Sequence, residues 1–379
     1  MRYYYFVLLL FSVIWGCNNK TNDARESIPT YKVDLNKAEE VSINDIFSRV
    51  DIIPLTTPDS IVCGGIHSYV YKNNVFLWDQ QQDFIVCFDT LGNYRRTINA
   101  KGRGPAEYMD ILSIAIDYYN DYIMVLDFDG MLQFDFYGNF IKKTRYPSGL
   151  IVHYATMINP DTMFCVTVAS HDEDAYKINY LSLKESKILA SCYRENPMFP
   201  VNYLISHYNG KQYYVIPKTS VIYGIENLEL TPLYRWDFGE YDYNYEDLSI
   251  PRLEEKELQK IQRTWISKNC PWLMGYVEEN STYLYAELSF CKKPELLKTP
   301  PYHIFWNKKT KEYKVVSNFK EGNVFLPFSS WGDHAVYAAV EPSAISRFIS
   351  MDALTPENRE IVENLPEDAN PVLLKYIFK

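Results

Sequence analysis

Apolar residues along this chain come in short runs that end on an acidic or turn residue, and two neighbouring stretches repeat the same order. Val75-Phe-Leu-Trp-Asp79 leads to Phe84-Ile-Val-Cys-Phe88 and then to the turn Asp89-Thr-Leu-Gly-Asn-Tyr94. The turn recurs 46 residues further on as Asp135-Phe-Tyr-Gly-Asn-Phe140, after Ile123-Met-Val-Leu-Asp127 and Met131-Leu-Gln-Phe134. A repeat of roughly 40–50 residues made of strands and Gly-Asn turns predicts propeller blades. Between the two copies, Lys101-Gly-Arg-Gly-Pro-Ala-Glu-Tyr108 holds too much Gly and Pro to continue a ladder, so it reads as a tight crossover.

Later blades are less regular. Thr162–Val168, Ile178–Leu183 and Lys187–Ser191 fit a third; Gln212–Ile216, Val221–Tyr223 and Leu233–Phe238 a fourth; Tyr283–Leu288, His303–Trp306 and Tyr313–Val316 a fifth. His334–Val340 opens a sixth, and Pro371–Phe378 closes it. Near the start, Tyr31–Leu35 alternates like a short strand, Ile43–Phe47 suits one helical turn, and Val50–Leu55 is a strand whose Pro54 marks an edge. The expected fold is all-β, a six-bladed propeller over residues 30–379 whose early residues complete the last sheet. Residues 251–268 break the repeat with a helical period, Leu258, Ile261 and Trp265 falling at steps of three and four. Two readings stand for this helical insertion: a rim of the binding face, or a cap over an apolar seam. Asp352–Glu367 is a second polar, helical insertion.

Residues 1–17 do not belong to the fold. An apolar run from Tyr3 to Trp15 is too short to span a bilayer and ends Val-Ile-Trp-Gly-Cys17, followed by a polar stretch. A small residue before a Cys that closes an apolar run resembles the lipobox of bacterial lipoproteins. Cys17 is therefore the expected lipid attachment site, and residues 18–29 a flexible tether. Membrane contact through the anchor alone follows, with the body in water.

Composition narrows the function classes. A net charge of −10 opposes nucleic-acid binding, which relies on Lys and Arg neutralising phosphates. Thirty-three Tyr and twenty Phe suit stacked sheets. The six cysteines after the leader, Cys63, Cys87, Cys165, Cys192, Cys270 and Cys291, invite a disulfide framework by their even number. Their wide spacing, with Cys87 and Cys165 inside apolar strands, favours mostly buried free thiols, Cys270 and Cys291 being the pair best placed for a bridge because they flank one hairpin. No CxxC or clustered His/Cys pattern of a metal site occurs, and no cofactor is implied.

Lys101–Tyr108, Ile114–Asp117, Val125–Asp127 and Phe134–Asn139 together resemble the NHL-like repeat. More closely, the chain is similar to the six-bladed β-propeller lipoproteins of Bacteroidetes, which share the lipobox, a GxGPxEY-type crossover and a C-terminal Asn-Pro-Val run, here Asn370-Pro-Val372. The resemblance covers nearly the whole mature chain and is specific around residues 75–145. It implies the fold and export to the periplasm or cell surface, but little about activity.

No catalytic residue can be named from the sequence. Candidate ligand contacts are Arg103 as an anion contact and Glu107 beside it, with Trp265 and Trp331, in expected loops with Trp272, as stacking platforms for sugar rings. Each has a plainer reading: Glu107 holding crossover N–H groups, Tyr108 filling space between blades, the tryptophans packing. Asp79 and Asp127 sit at equivalent blade positions, which favours a structural role, and His171-Asp-Glu-Asp174 lacks the spacing of a calcium loop. The leading expectation is a non-enzymatic binding or scaffold protein of the cell envelope, with an envelope protein or a glycan as partner. The alternative is a propeller enzyme, a metal-dependent hydrolase, lactonase or polysaccharide lyase, with its site at the central channel. A sensor that reports occupancy to a membrane protein is a third. Several inward carboxylates, Asn or His at the axis would favour catalysis, and an apolar or plugged channel would favour binding.

Overall fold

Three strands open the described chain: β1 (Thr30–Lys32) and β2 (Glu39–Val41), of three residues each, and the longer β3 (Phe47–Pro54). The structure, a computed structural model, describes residues 28–58, 60–64, 67–167, 178–192, 205–215, 220–241, 272–289, 301–322, 330–366 and 369–379. Blade 1 is β4 (His67–Tyr71), β5 (Asn74–Asp79), β6 (Phe84–Asp89) and β7 (Tyr94–Ile98). Blade 2 is β8 (Ser113–Asp117), β9 (Tyr122–Leu126), β10 (Gly130–Asp135) and β11 (Phe140–Arg145). Blade 3 is β12 (Val152–Asn159), β13 (Thr162–Thr167), β14 (Ile178–Ser182) and β15 (Lys187–Cys192). Blade 4 is β16 (Ile205–Tyr208), β17 (Lys211–Val215), β18 (Val221–Glu226) and β19 (Glu229–Asp237). Blade 5 is β20 (Trp272–Glu279), β21 (Tyr283–Ser289), β22 (Tyr302–Asn307) and β23 (Tyr313–Phe319). Blade 6 is β24 (Ser330–Trp331), β25 (Ala335–Val340) and β26 (Val372–Phe378), completed by β3.

Among the described residues these strands form six sheets, so the six-bladed propeller expected from the repeat is the fold. β26 pairs antiparallel with β3 from Val372↔Pro54 to Phe378↔Phe47, which joins the two ends of the chain in one blade. One feature goes beyond the repeat: β1 adds parallel to the outer edge of blade 4, and β2 adds parallel to the outer edge of blade 5. The N-terminal segment therefore laces blades 4, 5 and 6 in succession.

The core lies between blades rather than within them. Six apolar clusters of buried residues occupy the six seams, for example Phe76, Cys87, Tyr108 and Val125 between blades 1 and 2, and Tyr285, Phe305, Val336 and Tyr376 between blades 5 and 6. Middle strands are covered on both faces, which is why β5 and β13 are buried at every position and read as continuous apolar runs. Each fully buried Phe or Leu contributes roughly 1.5–3 kcal/mol.

The repeated turns share one geometry. Asp89 Oδ1 accepts from the N–H groups of Leu91 and Asn93, and Asp135 Oδ1 from those of Tyr137 and Asn139. The glycines between them, Gly92 and Gly138, have φ of 88° and 74°, the left-handed region that glycine enters without penalty. Asp79 and Asp127 are both buried, and each reaches back to the chain entering its blade, at Gly64 N and Met109 N.

Trp272 and Trp331, expected in loops, lie in strands: Trp272 opens β20 opposite Ser289, and Trp331 pairs with Val336. The misreading at Trp272 has a physical cause, since β20 carries a register shift between Leu273 and Val277 that breaks its alternation. Cys63, Cys87 and Cys165 are buried free thiols, and Cys192 is a half-buried one. Burial pushes the Cys63 and Cys87 thiols up to about 12. Cys17, the 251–268 insertion with Trp265, His171–Asp174, Cys270 and Cys291 lie outside the described residues.

Candidate functional site: the axial cavity

Each blade presents its first strand to the axis, and these strands wall a cavity of about 480 Å³ to which all six blades contribute. Its volume falls within the range of small-molecule sites, roughly 300–1,000 Å³. The wall is aromatic and hydroxyl-bearing: Tyr69 from blade 1, Tyr118 following β8 in blade 2, Tyr154 and Thr156 from blade 3, His207 from blade 4 and Trp331 from blade 6. Tyr118 and His207 stack face to face, ring centres 4.0 Å apart and planes at 13°. Burial lowers the pKa of His207, and of His67 in the same wall, so both are neutral at pH 7.

Blade 5 contributes Tyr276 and Glu278. Two residues apart on β20, they share one side of the strand, while Val277 between them is buried against blade 4. Glu278 is half-buried and lines the cavity. Burial is the cause of its shift, pushing its pKa up to about 8.

Behind this wall lies a second polar group. Glu287 on β21 pairs across the sheet with His303 on β22, and both are buried. The Tyr285 hydroxyl lies 2.8 Å from His303 Nδ1 and 3.5 Å from Glu287 Oε2. Burial raises Glu287 to about 8 and lowers His303 to about 4, so near pH 7 both are neutral. Trp331 packs on Tyr285 at 4.6 Å between ring centres, linking this cluster to the cavity wall.

Of the residues predicted from sequence, Trp331 is in the cavity wall. Arg103 is exposed on the crossover between blades 1 and 2. Glu107 Oε2 accepts from Gly104 N at 2.6 Å, and Tyr108, fully buried, donates to Asp83 O at 2.8 Å. That clip fixes the crossover, and neither Arg103 nor Glu107 lines the cavity. Glu278, Tyr276, Tyr69, Tyr118, Tyr154 and His207 went unrecognised in the sequence. The signal that finds them is position: each lies in, or just after, the strand that opens a blade. Among the described residues no group of three His, Cys, Asp or Glu is placed to hold a metal ion.

Fold and cavity together define a six-bladed β-propeller with a ligand-sized chamber on its axis. The chain belongs to the family described as a domain of unknown function, DUF4934, which matches residues 26–376. A putative exported protein from Bacteroides fragilis has a similar structure, with TM-score 0.67 and 16% identity over 93% of this chain and 100% of that one. A member of the DUF4221 family from Bacteroides vulgatus matches with TM-score 0.50 and 13% identity over 87% of this chain and 96% of that one. At these identities the likeness concerns the fold. No curated protein matches the sequence.

Proposed function

We propose that this chain is a non-enzymatic binding protein of the bacterial cell envelope, lipid-anchored through Cys17, that takes its ligand in the axial cavity. The ligand belongs to a glycan or to a protein partner presented at the cell envelope. One observation carries the reading: a chamber walled from all six blades by aromatic rings and hydroxyl groups, the lining that small polar ligands require. Export is supported by the lipobox-like run before Cys17 and by the exported Bacteroides fragilis protein of similar structure. The test is capture from native membranes and a glycan panel, with wild-type protein beside His207→Ala, which removes one ring from the wall. The expected result is at least a tenfold loss of affinity with cooperative unfolding retained. Equal capture by both proteins would remove the cavity from the account.

A second reading, an enzyme working in the same chamber, draws on Glu278. A carboxylic acid that keeps its proton near neutral pH inside a cleft is suited to general-acid work. Turnover of a bound glycoside or lactone, abolished in Glu278→Gln, would favour it over the binding reading.

A further inference from the structure

The cavity has an unbalanced charge inventory. Glu278 is its carboxylate, and no Lys or Arg stands among the described residues of its wall. No hydrogen bond or ion pair holds the Glu278 carboxylate among the described residues. The titratable groups that face it are Tyr276 on its own strand, Tyr285 across the ladder on β21, Tyr234 on β19, itself raised by burial, and Tyr118 and His207 on the opposite walls. Tyr276, Tyr285 and Tyr118 are all raised by burial, and His207 is lowered. None of them brings a positive charge near pH 7. Glu287 and His303, in the seam behind Tyr285, are held neutral by burial as well.

A carboxylate buried without a countercharge costs several kcal/mol and responds by keeping its proton. Aromatic faces carry negative potential and attract cations within about 6 Å. A positive group small enough to sit against Glu278 among the rings would complement this wall. We propose that the axial cavity selects a small organic cation, a primary or quaternary ammonium compound such as an amino sugar or a choline-like group, whose charge pairs with Glu278 inside the tyrosine and tryptophan wall. The inference rests on the axial-site reading above and names its ligand class.

The binding step balances as a proton exchange. Protonated Glu278 releases its hydrogen ion to solvent, and the ligand's ammonium takes its place as the positive partner of the carboxylate. Glu278, raised to about 8 when the cavity is empty, should therefore release close to one proton per ligand at pH 6.5. For choline, whose charge is fixed, affinity should rise by up to tenfold per pH unit below pH 8 and level off above it; for glucosamine, whose amine loses its own proton toward pH 8, the comparison is made at pH 6.5.

The experiment is titration calorimetry of the mature chain at pH 6.5, 7.5 and 8.5, in two buffers of different ionisation enthalpy. The probes are choline and glucosamine, with glucose and N-acetylglucosamine as uncharged counterparts. Expected are binding of an ammonium probe at least tenfold tighter than its neutral counterpart, proton release at pH 6.5, and loss of both in Glu278→Gln. Glu287→Gln, outside the wall, should retain the proton release. The wild-type proton count stands even if a variant folds poorly. Neutral sugars binding as well as glucosamine, or ammonium binding without proton release, would overturn the cation assignment and leave the axial site in place. Failure of both ammonium probes would overturn it too. Failure of all four, together with membrane capture unaffected by His207→Ala, would bring down the axial site itself.

Discussion

At the residue scale, the buried acids set the pH behaviour of the fold. Glu287 is fully buried, its Oε1 has no hydrogen-bond partner among the described residues, and its pKa is raised from 4.5 to about 8. Between those values the unfolded chain releases a proton that the native state keeps. The group's contribution to stability is thus complete below pH 4.5 and lost as pH rises toward 8. His303 acts on the other side: native burial keeps it neutral down to about 4, so its contribution is lost as pH falls from 6.5. We expect Glu287→Gln to flatten the alkaline loss, by at most about 1.4 kcal/mol per pH unit for one proton. Denaturant unfolding of both proteins at pH 5, 6.5 and 8 reads this directly; parallel curves would mean that Glu287 is ionised in the native protein.

At the element scale, the outer edge of blade 6 shows how an exposed strand is closed. The helix Pro356–Glu363 lies over β3, and Asn358 on it acts as a substitute strand: its Oδ1 accepts from Ile52 N at 2.9 Å, and its Nδ2 donates to Val50 O at 3.1 Å. Unpaired edges invite association, and a helix laid over one is a recurrent remedy. Asn358→Ala leaves two buried backbone groups without partners, and the expected loss is about 1–3 kcal/mol. An unchanged denaturation midpoint would show that water reaches this edge. Sequence legibility also divides by element. Middle strands such as Val75–Asp79 and Phe84–Phe88 stood out because both faces are buried and so carry unbroken apolar runs. First strands did not, because one side serves the cavity and takes residues such as Tyr276 and Glu278 that do not read as core. The alternation at Tyr31–Leu35 marked a strand near β1, but β1 and β2 join by parallel backbone pairing over three residues each, too short for the sequence to say which blades they extend. The candidate site was therefore largely invisible in the sequence, while the ring that builds it was plain.

At the scale of the whole molecule, the proposed anchor and the lace run in one line. Cys17 precedes β1 by thirteen residues, so a lipid there would tether the propeller to the membrane within the roughly 45 Å that such a stretch spans when extended, through the edge of blade 4 that β1 joins. Two acyl chains make such anchoring stable, at about 0.8 kcal/mol per buried CH₂. Cys17→Ala is expected to move the protein from the membrane fraction to the soluble fraction with its unfolding transition unchanged; retention in the membrane would end the lipoprotein reading. The same lace bears on how the ring closes. β3 stands at the start of the propeller and its partner β26 at its end, and the two meet from Phe47↔Phe378 to Pro54↔Val372. Until they meet, blade 6 lacks its outer strand and the ring stays open. Blades 1 to 3 are built from their own consecutive strands, but the circle is sealed only when its first and last strands come together, which on the export reading falls after the chain has crossed the membrane.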